Sequence, residues 1–358
     1  MLAVATVFLS IAIALFPMGA NAFASHRPRT TAAMPPPPPP RSPTPTKDAG
    51  RFAGTDHGHR HRGDNGPRPT TSGTALSAAA VAVPGLGAFA AASFLPACLG
   101  LWRTGYAVSY GYGGAVMASG LLQLLAVSGT TAAVSLPVRL HAALYVFYGL
   151  RLNSFLLHRE IVFPVAVHMM KRRDDSLPKR LKRLPVITGC SFLYFCMAAG
   201  PMRILATVDP PATGPVLATL AAGFAGFVLA GIGDWYKARI KARDGPNKLV
   251  VTGPFRYLRH PNYTGDMLGW TCACLLPALL LLLSGAGGAG GGLLRSLPWV
   301  LASVVGWSGI VFAVYGSEAT AGLERKHREK YGGTPEYEDW IRRSWAGPVV
   351  VAGGSDSH

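Results

Sequence analysis

Long apolar stretches follow one another along most of the chain, and short polar segments rich in Lys and Arg separate them. Each stretch is close to the length of about 20 residues that a helix needs to cross a hydrocarbon core. The second and third apolar stretches lie so close together that the number of predicted spanning helices is six or seven. The pattern predicts an all-α polytopic membrane helix bundle of about 6–7 transmembrane helices. The stretches are 75–101, 110–130, 136–157, 185–206, 212–235, 264–284 and 297–317.

The basic residues between these stretches are distributed very unevenly. Loops on one side of the predicted bundle carry 22 Lys and Arg, and loops on the other side carry three. Such a bias marks the cytosolic side of a membrane protein, so we expect the charged face to be cytosolic or stromal. The net charge of +17 therefore reflects topology, and the low charged fraction of 14% excludes a typical soluble enzyme, a disordered chain and a nucleic-acid binder.

The N-terminal segment differs from the rest of the chain. Leu2–Phe16 is an apolar run followed by small residues, which predicts a signal peptide over 1–22. Residues 23–73 form a Pro- and Arg-rich segment with the polyproline run Pro35–Pro40, which cannot pack into a core. Because this segment begins with Phe23, the signal peptide and the segment together resemble the two-part presequence of algae with complex plastids. We expect an integral protein of a plastid membrane, or of the endoplasmic reticulum if the signal is a plain secretory one.

The remaining domain boundaries follow from these segments. We expect N-terminal membrane helices over 74–135, a membrane catalytic domain over 136–348 and a tail over 349–358. No metal site is expected: His57, His59 and His61 lack a second ligand cluster nearby, and His168 sits before a run of exposed basic residues. The five Cys residues lie in apolar stretches and suggest no disulfide framework.

Candidate chemistry concentrates on the charged face, in residues 247–270. Arg256, Arg259 and His260 supply up to three positive donors within five residues. Pro261 is expected to end that segment, and Asn262 to cap the next helix, whose N-terminal dipole is also positive. Asp266 lies one turn further, where an ionisable group is costly unless it is paired. Together these features predict an anion pocket; the alternative is a juxtamembrane anchor for lipid head groups.

The order Arg259-His260-Pro261-Asn262-Tyr263-x-Gly265-Asp266 resembles the C-terminal signature of the steroid 5α-reductase and sterol C14-reductase superfamily. It is most similar to the uncharacterised DUF1295-like membrane branch of that superfamily. The isoprenylcysteine and phospholipid methyltransferases carry a related Arg-His-Pro-x-Tyr-x-Gly stretch. The resemblance covers roughly residues 140–348 and implies a cofactor pocket at the charged membrane face.

The resemblance also assigns roles to other segments. In the reductases, an acid at the position of Asp234, followed by a basic helix, contacts the dinucleotide. His327 and Tyr331 match the family's closing segment, where a His and a Tyr complete the cofactor pocket, and Tyr337 fits a second aromatic position. The alternative for this tail, which begins near Glu324, is an amphipathic surface helix with i,i+4 charge pairs.

Tyr148 and Arg151 lie inside the third apolar stretch, where the spacing of three places them on one helical face. The pair resembles the Tyr-x-x-Arg of the steroid reductases, in which Tyr donates a proton and Arg reaches the cofactor. The alternative is that Arg151 snorkels or pairs with a buried acid. Asn153 and His158 extend this polar set. The family's substrate-polarising Glu is absent, and Gln123 is the only obvious polar candidate to replace it.

The sequence thus predicts an NADPH-dependent reductase of an activated C=C bond in a lipid, sterol or isoprenoid-like substrate. The first alternative is an S-adenosylmethionine-dependent membrane methyltransferase that would use Glu318 and Glu324, and the second is a non-catalytic lipid-binding protein. The expected partners are the bilayer and a hydrophobic small molecule, with no nucleic acid. The expected catalytic residues are Tyr148 and Arg151. The expected cofactor-binding residues are Asp234, Arg256, Arg259, His260, Asn262, Tyr263, Asp266, Glu324, His327, Tyr331 and Tyr337.

Overall fold

The computed structural model describes residues 83–130, 134–162, 176–283, 292–316 and 318–347. These residues form an all-α bundle, and the described ranges contain one isolated β-bridge and no strand. The helices are α1 (Leu86–Ala97), α2 (Thr104–Ala107), α3 (Tyr110–Ser128), α4 (Leu136–Val162), α5 (Leu177–Leu181), α6 (Leu184–Val208), α7 (Gly214–Asp244), α8 (Pro261–Leu283), α9 (Gly292–Val311), α10 (Glu318–Tyr331) and α11 (Pro335–Arg343).

The chain is an integral membrane protein. Five helical stretches of the described residues are long and apolar enough to cross a bilayer. They are Thr104–Ser128, Leu177–Val208, Gly214–Asp244, Pro261–Leu283 and Arg295–Tyr331. The stretch Leu86–Leu101 is apolar but shorter, and a π-helical turn over Phe312–Gly316 follows α9. The predicted polytopic bundle is confirmed, and the predicted signal peptide and transit-like segment lie outside the described residues.

Two helices differ from the apolar stretches that predicted them. α4 has 27 residues and is long enough to span, but Arg139, Arg151, Arg159 and Glu160 lower its mean hydropathy. It packs nevertheless in the bundle, against α3, α6 and α7. α7 continues to Asp244, nine residues beyond the apolar stretch that ends at 235. Its basic residues therefore project from a continuous helix and not from a loop.

The most extensive helix pair in the bundle, α7 and α8, is in backbone contact. Gly226 and Gly265 face each other, and a Cβ atom at Gly265 would overlap the carbonyl oxygen of Gly226 and the backbone of Ala230. Small residues allow such close approach where lipid supplies no hydrophobic driving force. Asp266 follows Gly265, so this contact places its carboxylate next to α7.

Two side chains of α4 bond to carbonyls that prolines in neighbouring helices leave without a partner. Proline has no N–H, so it cannot bond the carbonyl four residues earlier. Pro201 in α6 thus frees Met197 O, which accepts from the Tyr145 hydroxyl at 2.6 Å. Pro277 in α8 frees Ala273 O, which lies 2.8 Å from His141 Nε2. Because both side chains are buried, α4 stabilises two proline sites at once.

We expect Tyr145→Phe to lower the free energy of unfolding by about 1–2 kcal/mol, because Met197 O is then left unsatisfied in an apolar interior. In the Pro201→Ala background the same change is expected to cost less, because the alanine that replaces Pro201 supplies a backbone N–H that can bond Met197 O. Reversible unfolding in mixed micelles measures both values, and the two backgrounds form a double-mutant cycle.

Pro277→Ala is the matched control for this cycle. It restores an N–H for Ala273 O, which His141 already bonds, and it does not touch Met197 O. Tyr145→Phe should therefore cost the same in the Pro277→Ala background as in the native chain. Equal costs in all three backgrounds would show that the Tyr145 hydroxyl does not compensate for Pro201.

Candidate functional site

The centre of the candidate site is a buried cationic side chain on α4. Tyr148 and Arg151 share one face of the helix, and the Arg151 guanidinium lies 4.9 Å from the centre of the Tyr148 ring. Tyr148 is 2% exposed and Arg151 7%. A charge at such a position requires partners, because an isolated buried ion is very costly.

Arg151 obtains those partners from two other helices. Its Nη1 lies 3.0 Å from Asp234 Oδ2 on α7, and its Nη2 lies 2.6 Å from Asp266 Oδ1 on α8. Asn262 donates from Nδ2 to Asp234 Oδ1 at 3.1 Å. Four of the predicted site residues are thus joined in one network. The observed contacts match the alternative in which Arg151 pairs with a buried acid, and Arg151 pairs with two such acids.

The predicted role of Asn262 as a helix cap is wrong. α8 begins at Pro261, and the carbonyl of His260 already accepts the first helical bond, from the Thr264 N–H at 2.9 Å. Proline is favoured at the first helical position because its missing N–H would have no helical partner there. Asn262 is therefore the second residue of the helix, and its amide binds Asp234 instead.

Tyr148 is enclosed by aromatic side chains from three helices. Its ring centre lies 4.5 Å from that of Phe227, 4.8 Å from Trp270 and 5.4 Å from Tyr112. The hydroxyl of Tyr148 lies beside the Tyr112 hydroxyl, the Trp270 indole and the Asp266 carboxylate. Gln123 lies eleven residues after Tyr112 on α3, which is about 16 Å along the helix axis. The structure therefore brings Tyr112, and not Gln123, to Tyr148.

A second ion network joins the start of α8 to the C-terminal tail. Both carboxylate oxygens of Glu324 on α10 are occupied: Oε1 lies 2.6 Å from His260 Nε2 and Oε2 lies 3.1 Å from Arg259 Nη1. His260 is 2% exposed. The backbone adds two bonds, from Arg259 N to Trp345 O at 2.9 Å and from Trp345 N to Tyr257 O at 2.8 Å. These contacts dock the tail on the segment that precedes α8.

A basic cleft lies between α7, the segment after it and the tail. We call it the cationic cleft. No carboxylate is among the described residues that line it. The charge of Lys237 interacts with Asp234 on one side and with His327 on the other, so the cleft adjoins the Arg151 network. The lining residues are Lys237, Lys241, Lys248, Leu249, Val250, Phe255, His327, Tyr331 and Trp340.

Three of the predicted cofactor-binding residues neither form ion pairs in the two networks nor line the cationic cleft. Arg256 is exposed and lies 5.6 Å from the ring centre of Tyr257. Tyr263 is half-buried, with its ring centre 5.7 Å from that of His260. Tyr337 is buried in a small core with Leu249, Val251 and Trp340. Arg256 therefore joins neither network, and Tyr337 packs against Leu249 and Trp340, which line the cleft.

The wider polar set is dispersed. Asn153 is buried, and its Oδ1 has no hydrogen-bond partner among the described residues. The ring of His158 lies 4.2 Å from that of Trp235. The side chain of Glu318 and the residues His57, His59, His61 and His168 lie outside the described part of the chain. Within that part no group of three His, Cys, Asp or Glu side chains could hold a metal, and all five Cys residues are free thiols.

Tyr112, Trp270 and Lys248 were missing from the predicted site. Tyr112 lies in an apolar glycine-rich span, and Trp270 closes the motif without a charge, so neither carries a sequence signal of its own. Lys248 lies outside the basic helix. For Lys237 and Lys241 a signal exists, because their i,i+4 spacing one turn after Asp234 places them on one helical face.

Fold and site together define a polytopic membrane protein with a polar site at one end of its helices. The family model described as "Protein of unknown function (DUF1295)" matches residues 110–344, and the chain belongs to this family. The match spans α3 to the end of α11 and so contains every side chain of both ion networks. No curated protein and no solved structure matches the chain.

Proposed function

We propose that this protein is an NADPH-dependent reductase of an activated carbon–carbon double bond in a lipid-like substrate. The observation that carries the proposal is the cationic cleft, in which Lys237, Lys241, Lys248 and His327 converge next to the network that holds Tyr148. The similarity of residues 259–266 to the steroid and sterol reductases supports the same conclusion.

The residues of the cleft fit the phosphate-bearing part of a dinucleotide. Lys237 forms no hydrogen bond or ion pair among the described residues, and Lys241 bonds only a backbone carbonyl, Pro246 O, at 3.1 Å. These two ammonium groups bond no carboxylate among the described residues and are therefore suited to phosphate oxygens. Lys248 pairs with Glu336, its Nζ lying 3.6 Å from Glu336 Oε1. Tyr331 and Trp340 add aromatic surface, and Leu249 and Phe255 add an apolar wall. The bound dinucleotide would supply a hydride.

The protein's own residues would bind and orient the reactants and would exclude water from them. The Arg151–Asp234–Asp266 network fixes the direction in which Tyr148 faces. The aromatic side chains around Tyr148 keep bulk water from the place where charge develops, which strengthens each electrostatic contact there. Tyr148 would act as the proton donor, since a phenol can donate to an oxygen that gains negative charge.

The methyltransferase alternative finds less support. An S-adenosylmethionine site needs carboxylates that are available to the amine and the sulfonium. Glu324, the described acid that would serve, already bonds Arg259 and His260 with its two oxygens. The excess of positive charge in the cleft favours phosphates over a sulfonium cation.

Ligand-induced thermal stabilisation of the detergent-purified chain tests the proposal. NADPH is expected to raise Tm and S-adenosylmethionine is not. Lys237→Gln/Lys241→Gln is expected to weaken NADPH binding at least about tenfold, because each change removes a charge-assisted contact.

Arg239→Gln/Arg243→Gln is the matched control. It removes two positive charges at the same spacing from the same helix, on exposed side chains, and should change NADPH affinity about twofold or less at moderate salt. Stabilisation by S-adenosylmethionine alone, or equal loss in both double variants, would overturn the proposal.

A further inference from the structure

The short helix α5, which precedes the long helix α6, exposes leucines and basic side chains together. Leu177, Leu181 and Leu184 are 68%, 51% and 38% exposed, so the described part of the bundle leaves them largely uncovered. Basic residues alternate with these leucines along the same segment. The exposed ones are Lys179, Arg180 and Lys182.

The length of this helical stretch places α5 at the level of the lipid head groups. Leu177–Val208 has 32 residues, which is about 48 Å of helix, whereas the hydrocarbon core is about 30 Å thick. α6 alone, with 25 residues, is long enough to cross that core. Because the basic residues all lie at the N-terminal end, that end is the one outside the hydrocarbon. Pro185 cannot bond the carbonyl four residues earlier, so the helix is interrupted there and α5 need not follow the axis of α6.

Arg183 fixes α5 to another exposed apolar side chain. Its Nη1 donates to Leu101 O at 3.0 Å and to Trp102 O at 2.9 Å. Trp102 is 54% exposed, and tryptophan is favoured at the boundary between membrane and water. Leucines, basic residues and a tryptophan therefore form one surface. We call it the basic–leucine patch; its residues are Trp102, Leu177, Lys179, Arg180, Leu181, Lys182 and Leu184.

We propose that the basic–leucine patch binds anionic lipids of the host membrane on its charged side. The leucines and Trp102 enter the boundary between head groups and acyl chains, and the basic side chains reach lipid phosphates, as in an interfacial amphipathic helix. The charge is complementary to such lipids, because residues 171–184 contain seven Lys and Arg and two Asp. A zwitterionic lipid would cover the leucines equally well but would not match the charge.

Hydrogen–deuterium exchange of the purified full chain in lipid nanodiscs tests this proposal. One set of discs contains phosphatidylcholine alone, and in the other phosphatidylglycerol replaces about a third of it. The amides of residues 179–184 should exchange at least about fivefold more slowly in the anionic discs, because bound head groups hold α5 in place. Sodium chloride at about 0.5 M should remove most of this difference. Free glycerol phosphate added to the phosphatidylcholine discs should give no protection, because it brings no acyl chain to the leucines.

Variants of the two parts of the patch should have different effects. Lys179→Gln/Arg180→Gln/Lys182→Gln should reduce the difference between the two kinds of disc to less than about twofold. Leu177→Ser/Leu181→Ser should speed exchange in both kinds, because either lipid covers the leucines.

A charge-matched variant of the C-terminal tail is the control. Lys326→Gln/Arg328→Gln/Arg342→Gln also removes three positive charges, from exposed side chains on α10 and α11. It should preserve the full difference between the two kinds of disc at residues 179–184.

Four results would overturn the proposal. The first is equal exchange of the native chain in both kinds of disc, and the second is an undiminished difference in the α5 triple variant. The third is the same loss in the tail variant, which would show that protection follows total charge. The fourth is equal protection by free glycerol phosphate, which would indicate a site for small anions. The experiment contains no NADPH, so its outcome is independent of the proposed reductase activity.

Discussion

Arg151→Met is expected to lower the free energy of unfolding by about 3–5 kcal/mol, which is the usual cost of removing one partner from a buried ion pair. The variant leaves two carboxylates, Asp234 and Asp266, near each other without the guanidinium that bonds both of them. Both are largely buried, with side chains 15% and 19% exposed. Thermal and SDS-induced unfolding of the purified chain measure the loss.

The triple variant Arg151→Met/Asp234→Asn/Asp266→Asn separates charge imbalance from lost packing. It removes all three charges, so most of the stability should return, as replacement of whole buried ion networks by neutral groups is often tolerated. Arg159→Met on the same helix is the control, since Arg159 is exposed and its loss should cost no more than about 0.5 kcal/mol. A stable Arg151→Met, or a triple variant no better than the single one, would show that the network does not hold the helices together.

The chain's apolar stretches were sufficient to predict the helix bundle, because length and hydropathy reflect the thickness of the membrane directly. The apolar stretches did not predict where the helices end. The basic residues of α7 look like a loop in a hydropathy pattern, although the helix continues through them to Asp244. Helical backbone bonding does not depend on whether the side chains face lipid or water.

The pairing of site residues could be predicted only in part. An Arg and an Asp within apolar segments each require a partner, so a contact of Arg151 with an acid was an explicit alternative. The two acids lie 83 and 115 positions away in sequence. Which acids meet Arg151 depends on the rotation and depth of α7 and α8, and these are fixed by contacts such as Gly226 with Gly265 that no local pattern describes.

The aromatic surroundings of Tyr148 were not predictable for a different reason. Tyr and Trp occur throughout apolar segments as ordinary packing residues, so Tyr112 and Trp270 stand out only when their rings are seen to surround Tyr148. The tail shows the reverse case. His327 and Tyr331 carried a motif, and they line the cationic cleft.

Glu324→Ala is expected to release the C-terminal tail from the start of α8. It removes the acceptor of both Arg259 and His260, and a hydrogen bond to a charged group contributes about 1.5–3 kcal/mol. The backbone bonds between Arg259, Trp345 and Tyr257 lose the contact that holds them together. Their amide hydrogens should exchange roughly 10- to 150-fold faster, measured by hydrogen–deuterium exchange and mass spectrometry.

Two further variants make this result specific. Glu324→Gln keeps one carbonyl oxygen for either partner, so its exchange rates should lie between those of the native chain and Glu324→Ala. Glu329→Ala removes an exposed acid from the same helix and should leave the rates within about twofold. Unchanged exchange at Arg259 and Trp345 in Glu324→Ala would mean that the packing of Trp340 and Tyr337, together with the bond from Trp340 Nε1 to Phe255 O, is sufficient to hold the tail.

The same variant also separates the two enzyme classes. α10 carries His327 and Tyr331 into the cationic cleft, so release of the tail should weaken NADPH binding through their displacement. If Glu324 instead bound the sulfonium directly, its loss would abolish binding of S-adenosylmethionine while the tail stayed docked. The reductase proposal requires that NADPH binding weakens in parallel with tail release, less in Glu324→Gln and more in Glu324→Ala. It would make Glu324 a positioning residue that acts through the tail.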